Sequence, residues 1–541
     1  MNKTGREKQI EVRGDQALVD REEDEEGRQE AAVGLAECQC EEAEAEVLNN
    51  LPLDILPSIL SHLVDRRDRY SCALVNKTFN RVTTPLLYRK LDSRILSNTT
   101  LSHPFETLLI RPDLAQYVRH VTETGAVLRM LHVRYPNITE DTLRALSLCA
   151  NIHSLTWVDD DSFSSSDSPL LGLLPVLRSL PLRELTIRTH SDLGEHLWNE
   201  LIQLNGLRRL SIWCMAGPPA PLQLRVAQEG TTLTHLELGV SVFTTSTMDL
   251  FTHLQLLQEL RLKGTPVSAL ASILVRLPNL HTFDVEYLMA SPTSPFRREF
   301  SSLSHSGPYP HLRKLIIRTN TSDLMGIEML FPWVHTLLPH TSLESFHLHA
   351  FTSSSSGRVH IPETFIHDLA RVHGSVLKEF LVDDSFVTLD DVQTLCMAFP
   401  RLENLSCALA SPDVISIAQA MSGARALKQL KLQVQWTLSR GTTNIDASTG
   451  SPSTMSQCRR LRSNHTPYAA RISSKRLSAC PLFTADDART LMVNSPLLNL
   501  VEINTEHYLG KWILKGRRRE PGLVQVVENI SLPPVNWSKW Y

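Results

Sequence analysis

From about residue 150 onward the apolar positions repeat one short phrase, apolar-x-x-apolar-x-apolar. It reads Ile152/Leu155/Trp157, Leu182/Leu185/Ile187, Leu207/Leu210/Ile212, Leu233/Leu236/Leu238, Leu257/Leu260/Leu262 and Leu280/Phe283/Val285. It continues as Leu312/Leu315/Ile317, Leu343/Phe346/Leu348, Leu377/Phe380/Val382, Leu402/Leu405/Cys407, Leu427/Leu430/Leu432 and Leu498/Val501/Ile503, twelve phrases in all. The last two positions of each lie two residues apart. That is the period of a β-strand, so they point to one side and the residues between them to the other. A stretch with helical spacing follows many phrases, as at Val267 to Leu277, Leu389 to Phe399 and Val414 to Met421. The pattern predicts repeated strand–helix units.

First positions are separated by 30, 25, 26, 24, 23, 32, 31, 34, 25, 25 and 71 residues. The short spacings fall in the window of leucine-rich repeats, and the long ones fit such repeats with larger loops. Each unit alone would leave its apolar side wet, so the array is expected to be stable only when stacked, as an irregular horseshoe-like solenoid. The outward strand positions then form a ladder on its inner curve: Glu184, Thr186, Arg188, Arg209, Ser211, Trp213, His235, Glu237, Glu259, Arg261, Lys263, Asp284, Glu286, Lys314, Arg318, His347, His349, Glu379, Asp383, Lys431 and Glu502. Both charge signs occur, which suits a protein or peptide ligand better than a polyanion. Arg188, Trp213, Arg261, Lys263, Arg318 and His347 are the candidate target-binding residues. Aromatic and Arg anchors dominate interfaces, and Trp213 is the leading one. The alternative for Trp213 is a ring packed under the loop Gly217-Pro218-Pro219.

Ahead of the repeats, Leu51 to Tyr88 reads as three short helices. Asp54 is placed to cap the first, with Pro57 at its third position and Ile55, Leu56, Ile59, Leu60 and Leu63 at helical spacing. Cys72, Ala73, Leu74, Val75 and Phe79 mark the second, and Pro85 is expected to open the last, with Leu86, Leu87 and Tyr88. A piece of about 40 residues encloses little core. Its many large apolar side chains therefore leave surface for a partner, or else pack as a cap on the first repeats.

The run Leu51-Pro52-Leu53-Asp54-Ile55-Leu56, with Ile59, Leu60 and Leu63, then Val75-Asn76-Lys77-Thr78-Phe79 and Leu87-Tyr88, resembles an F-box. With the downstream repeats, the whole resembles an F-box protein with leucine-rich repeats, of the fungal type. Phe79 stands where many members carry Trp, and Pro57 is unusual in the first helix. The resemblance implies that Leu51, Pro52, Ile55, Leu56, Ile59, Leu60, Leu63, Val75 and Phe79 bind a Skp-type adaptor. It also implies that the chain is the non-catalytic substrate-recognition subunit of a cullin–RING (SCF-type) ubiquitin ligase, its solenoid binding a target protein. A leucine-rich scaffold without a ligase link is the alternative.

The expected fold is α/β, divided into a disordered acidic tail (1–48), a helical module (49–92), a linker or degenerate first repeat (93–150, with Tyr117 to Val121 as its candidate strand) and the solenoid (151–435). A disordered, basic, Ser/Thr-rich insertion (436–480) and a final repeat with a C-terminal cap (481–541) follow. The tail is dense in Glu and Asp and has no aromatic residue, too little apolar surface to offset chain entropy. Polar insertions at Asp159 to Ser168, Ala290 to Ser306 and Thr352 to Gly357 read as surface loops.

Over the 541 residues, 42% are hydrophobic and 21% charged, with a net charge of -4. That balance argues against a nucleic-acid coat. The N-terminus lacks an apolar signal core, and no apolar run approaches the roughly 20 residues of a membrane span. Nine scattered cysteines without a Cys-x-x-Cys pair suggest reduced thiols in the cytoplasm or nucleus. No phosphate loop, dinucleotide fingerprint, nucleophile elbow or His-Glu-x-x-His pair occurs, so an enzyme is not expected and no cofactor is implied. His347-x-His349, near His335 and His340, is the one place to look for a metal, and no carboxylate or cysteine joins it at suitable spacing. Glu195, His196 and Glu200 read as a solvated helix face. The basic run Lys511, Lys515, Arg517, Arg518 and Arg519 reads as an exposed loop, or as an import or phosphate-binding patch.

Overall fold

The computed structural model describes residues 54–93, 103–159, 169–189, 194–201, 203–214, 232–240, 245–287, 309–320, 327–340, 343–351, 359–437, 483–512 and 524–528. The acidic tail, Leu51 and Pro52, nearly all of the 436–480 insertion, the smaller polar insertions past Asp159, the loop Gly217-Pro218-Pro219 and the basic residues from Lys515 to Arg519 lie outside them. The chain forms two compact units, Met1–Arg89 and Lys90–Tyr541.

The first unit holds three helices, α1 (Leu56–Ser61), α2 (Arg66–Val75) and α3 (Lys77–Tyr88). Two local expectations change. Ile55, not Asp54, is the N-cap of α1, and no side chain caps it. Pro57 still falls in the first turn, where its missing N–H has no intrahelical partner to lose. The break between the later helices comes at Asn76, not at Pro85. Asn76 is extended (φ -161°, ψ 175°) and its side chain accepts a hydrogen bond from the Phe79 N–H at 2.9 Å, so α3 starts there and runs through Pro85. Asn and Asp side chains satisfy the bare N–H groups of a helix start, and Asp65 does the same for α2. Two further bonds fix the corners: Asn80 Nδ2 donates to the Ala73 carbonyl at 3.0 Å, and Arg69 Nε to the Leu63 carbonyl at 2.8 Å.

The second unit is built on one sheet of sixteen strands in strict chain order. They are β1 (Lys90–Asp92), β2 (His120–Thr124), β3 (Ser154–Asp159), β4 (Glu184–Thr189), β5 (Arg209–Cys214), β6 (His235–Val240), β7 (Glu259–Lys263) and β8 (Thr282–Tyr287). Then come β9 (Lys314–Asn320), β10 (Ser345–Phe351), β11 (Glu379–Val387), β12 (Asn404–Ser411), β13 (Gln429–Trp436), β14 (Leu500–Ile503), β15 (Glu506–Trp512) and β16 (Val524–Glu528). Every pair from β1 to β14 is parallel, and β15 and β16 close the sheet antiparallel. The turn into β15 is made by Asn504 at φ 59°, a conformation Asn tolerates better than most residues.

The twelve apolar phrases are the strands β3 to β14. Their first inward residues are paired in register from Leu155 through Leu185, Leu210, Leu236, Leu260, Phe283, Leu315, Phe346, Phe380, Leu405 and Leu430 to Val501. All of these are buried, and strands such as β3 and β4 alternate buried with half-buried positions. Helices return the chain between strands, among them Val267–Val275, Leu389–Ala398 and Val414–Ala420, at the places their periodicity predicts. Junctions repeat one bonding pattern. The carbonyl of His153 accepts from the N–H groups of Arg183 and Glu184, that of Arg183 from Arg208 and Arg209, and so on to Lys428 with Asn499 and Leu500. Each turn thereby satisfies the backbone of the next.

Residues 93–150 hold more structure than a linker. His120–Thr124 is a full strand between β1 and β3, shifted from the expected Tyr117 to Val121, and helices flank it. Glu123 fills the inward position that Trp157 holds on β3, which hides the strand from an apolar pattern. It is buried beside His103, Nε2 to Oε2 3.4 Å.

Candidate functional site

Two surfaces carry chemistry. On the helical unit, the amphipathic pattern sorts the expected adaptor-binding residues into two groups. Leu56 and Leu60 face inward and are buried, while Leu63 and Phe79 are half-buried. Ile55, Ile59 and Val75 are exposed, together with Val64, Tyr70 and Leu74, which are not among the expected adaptor-binding residues. Ile55 and Ile59 lie four residues apart, as do Tyr70 and Leu74, so each pair lies on one face of its helix. Small folded proteins seldom leave so many large apolar side chains in water without a partner to cover them.

On the sheet, the half-buried face of β4 to β9 brings five of the six candidate target-binding residues together. Trp213 lies at the centre. Arg188 Cζ is 4.9 Å from the indole centroid, Lys263 Nζ 5.0 Å and Arg261 Cζ 5.6 Å, all within cation–π range. The ring is held in place from two sides. Its Nε1–H donates to Glu237 at 2.8 Å, and the register places Gly239 directly opposite on β6. A β-carbon at Gly239 would stand 2.9 Å from the ring, so only glycine lets the indole lie against that strand. The contact sets Trp213 against β6; the loop of the alternative reading, Gly217-Pro218-Pro219, lies outside the described residues.

Glu237 is the hub. It also accepts from Ser211 Oγ at 2.9 Å and pairs with Arg261 at 3.0 Å and Arg188 at 3.6 Å. Arg261 reaches Asp284 as well, at 3.3 Å, and Asp284 is gripped by both arms of Arg318 at 2.9 and 3.0 Å. Bidentate Arg–carboxylate pairs fix geometry as well as charge. Burial pulls the Arg261 guanidinium below its usual range, and the two carboxylates beside it oppose that pull. Toward the opposite ends of the strands, a second chain of polar contacts runs from Glu184 to Arg209 (3.5 Å), from Arg209 to the His235 ring (2.9 Å) and from His235 to Glu259 (2.9 Å). Between the two chains lies an open cleft of about 480 Å³ that reaches Lys314 and Ile316 on β9.

The sixth candidate, His347, sits on β10 opposite Ile316 and is taken up by a different cluster. Ser345 Oγ lies 2.8 Å from its ring and donates to Glu379 at 2.6 Å, and Asn404 donates to Glu379 at 2.9 Å. The hydrogen bond from His347 is the main reason that the Glu379 carboxyl is held down at about 2. Burial keeps His347 itself below its ordinary value. His349 pairs separately with Asp383 at 3.5 Å, and His335 faces Asp368 on the helices, so the four histidines do not converge. Among the described residues no cluster of three His, Cys, Asp or Glu side chains suits a metal ion. Glu195 and His196 are exposed, and Glu200 pairs with Arg178. Among the described residues no helix is long and apolar enough to cross a membrane.

The geometry describes a small helical domain with uncovered apolar side chains, followed by a parallel strand–helix array with a polar, aromatic-centred face. Comparison with known proteins places the first part: residues 48–94 match the F-box-like family. The chain thus carries an F-box-like domain. No curated protein matches the chain.

Proposed function

We propose that the protein is the non-catalytic, substrate-recruiting subunit of an SCF-type cullin–RING ubiquitin ligase. The F-box-like domain docks on a Skp-type adaptor. The parallel array acts as a leucine-rich-repeat solenoid whose polar face, centred on Trp213, receives the target protein. The observation that carries the reading is the set Ile55, Ile59, Val64, Tyr70, Leu74 and Val75, apolar and in water on a domain of the F-box-like family. Buried and satisfied, they would stabilise the helices; exposed, they favour association. The face suits a folded partner because its charges are mixed and its aromatic anchor is immobilised in advance, which lowers the entropy lost on binding. Such a complex works in the cytoplasm or the nucleus.

The test is reconstitution. The full chain is co-expressed with a Skp-type adaptor and the matching cullin, then purified through a tag on the chain. Stoichiometric recovery of adaptor and cullin is expected. A folded chain that emerges alone overturns the ligase assignment and leaves a repeat scaffold.

A further inference from the structure

We propose that the strand-start rim of the array's first half, from Arg119 to Arg313, binds an acidic segment of a partner protein. This surface is separate from the face centred on Trp213, and its chemistry holds with or without a ligase link. The rim is made by the residue just ahead of each strand, whose carbonyl accepts from the next turn. Those bonds link Arg119, His153, Arg183 and Arg208 in order and continue unbroken to Lys428. Neighbouring rungs of this ladder are close enough for their side chains to meet. Lys378 Nζ donates to Glu344 at 2.6 Å, and Lys428 Nζ to Glu403 at 2.7 Å. The later rungs thus alternate in sign and pair. The first eight do not: they hold four arginines, two histidines, Thr234 and Gln258, and no acid. Arg183, Arg208 and Arg313 are exposed and make no side-chain hydrogen bond or ion pair among the described residues. Arg119 bonds only to the carbonyls of Gln116 and Val118.

Carboxylates nearby do not offset these arginines. The described turns that lead into the rungs from His153 to Arg313 contain no Asp or Glu. Asp113, ahead of Arg119, is held by both arms of Arg111 at 2.9 and 2.7 Å. One residue further along the strands, Glu184 and Glu259 are matched by Arg209 and Lys314, and they contact Arg209 at 3.5 Å and His235 at 2.9 Å. Like charges on adjacent strands destabilise a sheet, and the later rungs show the pairing that the same position allows. Holding Arg183 beside Arg208 is therefore a cost to the fold that an anionic partner removes. Four arginines over seven strand intervals, roughly 34 Å at about 4.8 Å each, are sparse for a duplex with one charge per about 1.7 Å. An extended acidic segment suits them better. Its carboxylates recur about every 7 Å on one side, and each accepts the fork of a guanidinium.

Arg183 and Arg208 also follow the C-terminal ends of the helices Pro169–Arg178 and Gly194–Leu201, where cations favour the helix dipole. Charge reversal separates the two roles. The test uses the full chain, fluorescein-labelled ten-residue peptides that alternate serine with glutamate or glutamine, and a short labelled DNA duplex. Fluorescence anisotropy is read at low and physiological salt, with a thermal melt of each variant. The glutamate peptide is expected to bind about tenfold tighter than the glutamine peptide, and to weaken as salt rises, because charges are screened beyond about 8 Å at 0.15 M. Arg183→Gln/Arg208→Gln should weaken the glutamate peptide about tenfold, whereas Lys378→Gln, at a rung already paired, should change it less than about twofold. Arg208→Glu should abolish binding and leave Tm unchanged or raised, because it gives Arg183 the partner that Glu344 gives Lys378. Equal binding of the two peptides, unchanged affinity in folded Arg183→Gln/Arg208→Gln, or an equal loss in Lys378→Gln would each overturn the proposal. Tighter binding of the duplex, or a lowered Tm in Arg208→Glu, would do the same.

Discussion

Replacing Leu74 and Val75 with aspartate removes two of the most exposed apolar side chains of the F-box-like domain and leaves its interior alone. Leu74 is 67% exposed and Val75 60%. Full burial of such a side chain is worth about 1.5–3 kcal/mol, so covering the exposed parts of both contributes about 2–4 kcal/mol to a complex. At about 1.4 kcal/mol per tenfold, L74D/V75D should weaken adaptor binding by about 25- to 700-fold, before any cost of burying the new carboxylates. The assay is titration calorimetry of the full chain against purified adaptor, with a thermal melt of each variant. Surface changes of this kind shift stability by only about 0.5 kcal/mol, so the melt should hardly move. Leu60→Ala is the contrast. Leu60 is buried, and its truncation should cost about 2–5 kcal/mol of stability, so any binding loss there follows from loosened helices. Wild-type affinity in folded L74D/V75D refutes the docking surface argued here.

Other outcomes follow from the second unit. Gly374 ends the helix Glu363–His373, and a β-carbon there would press on the Ala370 carbonyl and stand 2.9 Å from that of Ala398; Gly374→Ala should therefore lower stability by about 1–3 kcal/mol, read as a drop in Tm. Burial pushes the Cys149 and Cys396 thiols up to about 12 and Cys407 higher still, so native iodoacetamide labelling with peptide mapping should mark the half-buried Cys72 and spare these three; labelled Cys407 in folded protein would contradict the burial. Burial also drives His373 down to about 4 from 6.5. The unfolded chain then takes up a proton that the folded one refuses, so this contribution is intact above pH 6.5 and lost progressively toward pH 4, by about 3 kcal/mol in all. Melts across that window should show a smaller acid-induced drop in His373→Leu than in the unmodified chain; parallel curves would exclude His373 as a source.

How far the sequence displays this arrangement depends on what occupies the inward strand positions. Strands β3 to β14 are legible because Leu, Ile, Val, Phe, Trp or Cys fills both. β1 and β2 are not, because Ser93 and Glu123 stand where the second apolar residue is expected, and both are buried. Ser93 meets the cost of burial with bonds to the Thr122 carbonyl and the Thr124 N–H, a solution no hydropathy pattern reveals. The break at Asn76 was legible in principle, since Asn three residues before Phe79 is an N-cap signature. In the sheet face, alternation alone assigned Arg188, Trp213, Arg261, Lys263 and Arg318 to one side. It did not show that Gly239 seats the ring or that Glu237 ties it down, because those contacts depend on register between segments far apart in the chain.

Register is what converts the apolar ladder into a binding face. Side chains alternate with a period of two, so slipping one strand by one residue would turn its whole outward set inward. A slip at β6 would bury Glu237 and remove the partner of Ser211, Trp213, Arg188 and Arg261 in one step. The stacked inward residues resist this at every strand, since each slip would expose two large apolar side chains worth about 1.5–3 kcal/mol apiece. The longest spacing shows how little the connections matter to that rule. Leu427 and Leu498 are 71 residues apart, yet β13 and β14 pair as their neighbours do, and Lys431 meets Glu502 at 3.2 Å. Doubling a loop costs only about 0.6 kcal/mol of closure entropy, less than one misplaced leucine. The core ladder therefore fixes which outward residues meet, and the connections are left free to vary in length and composition.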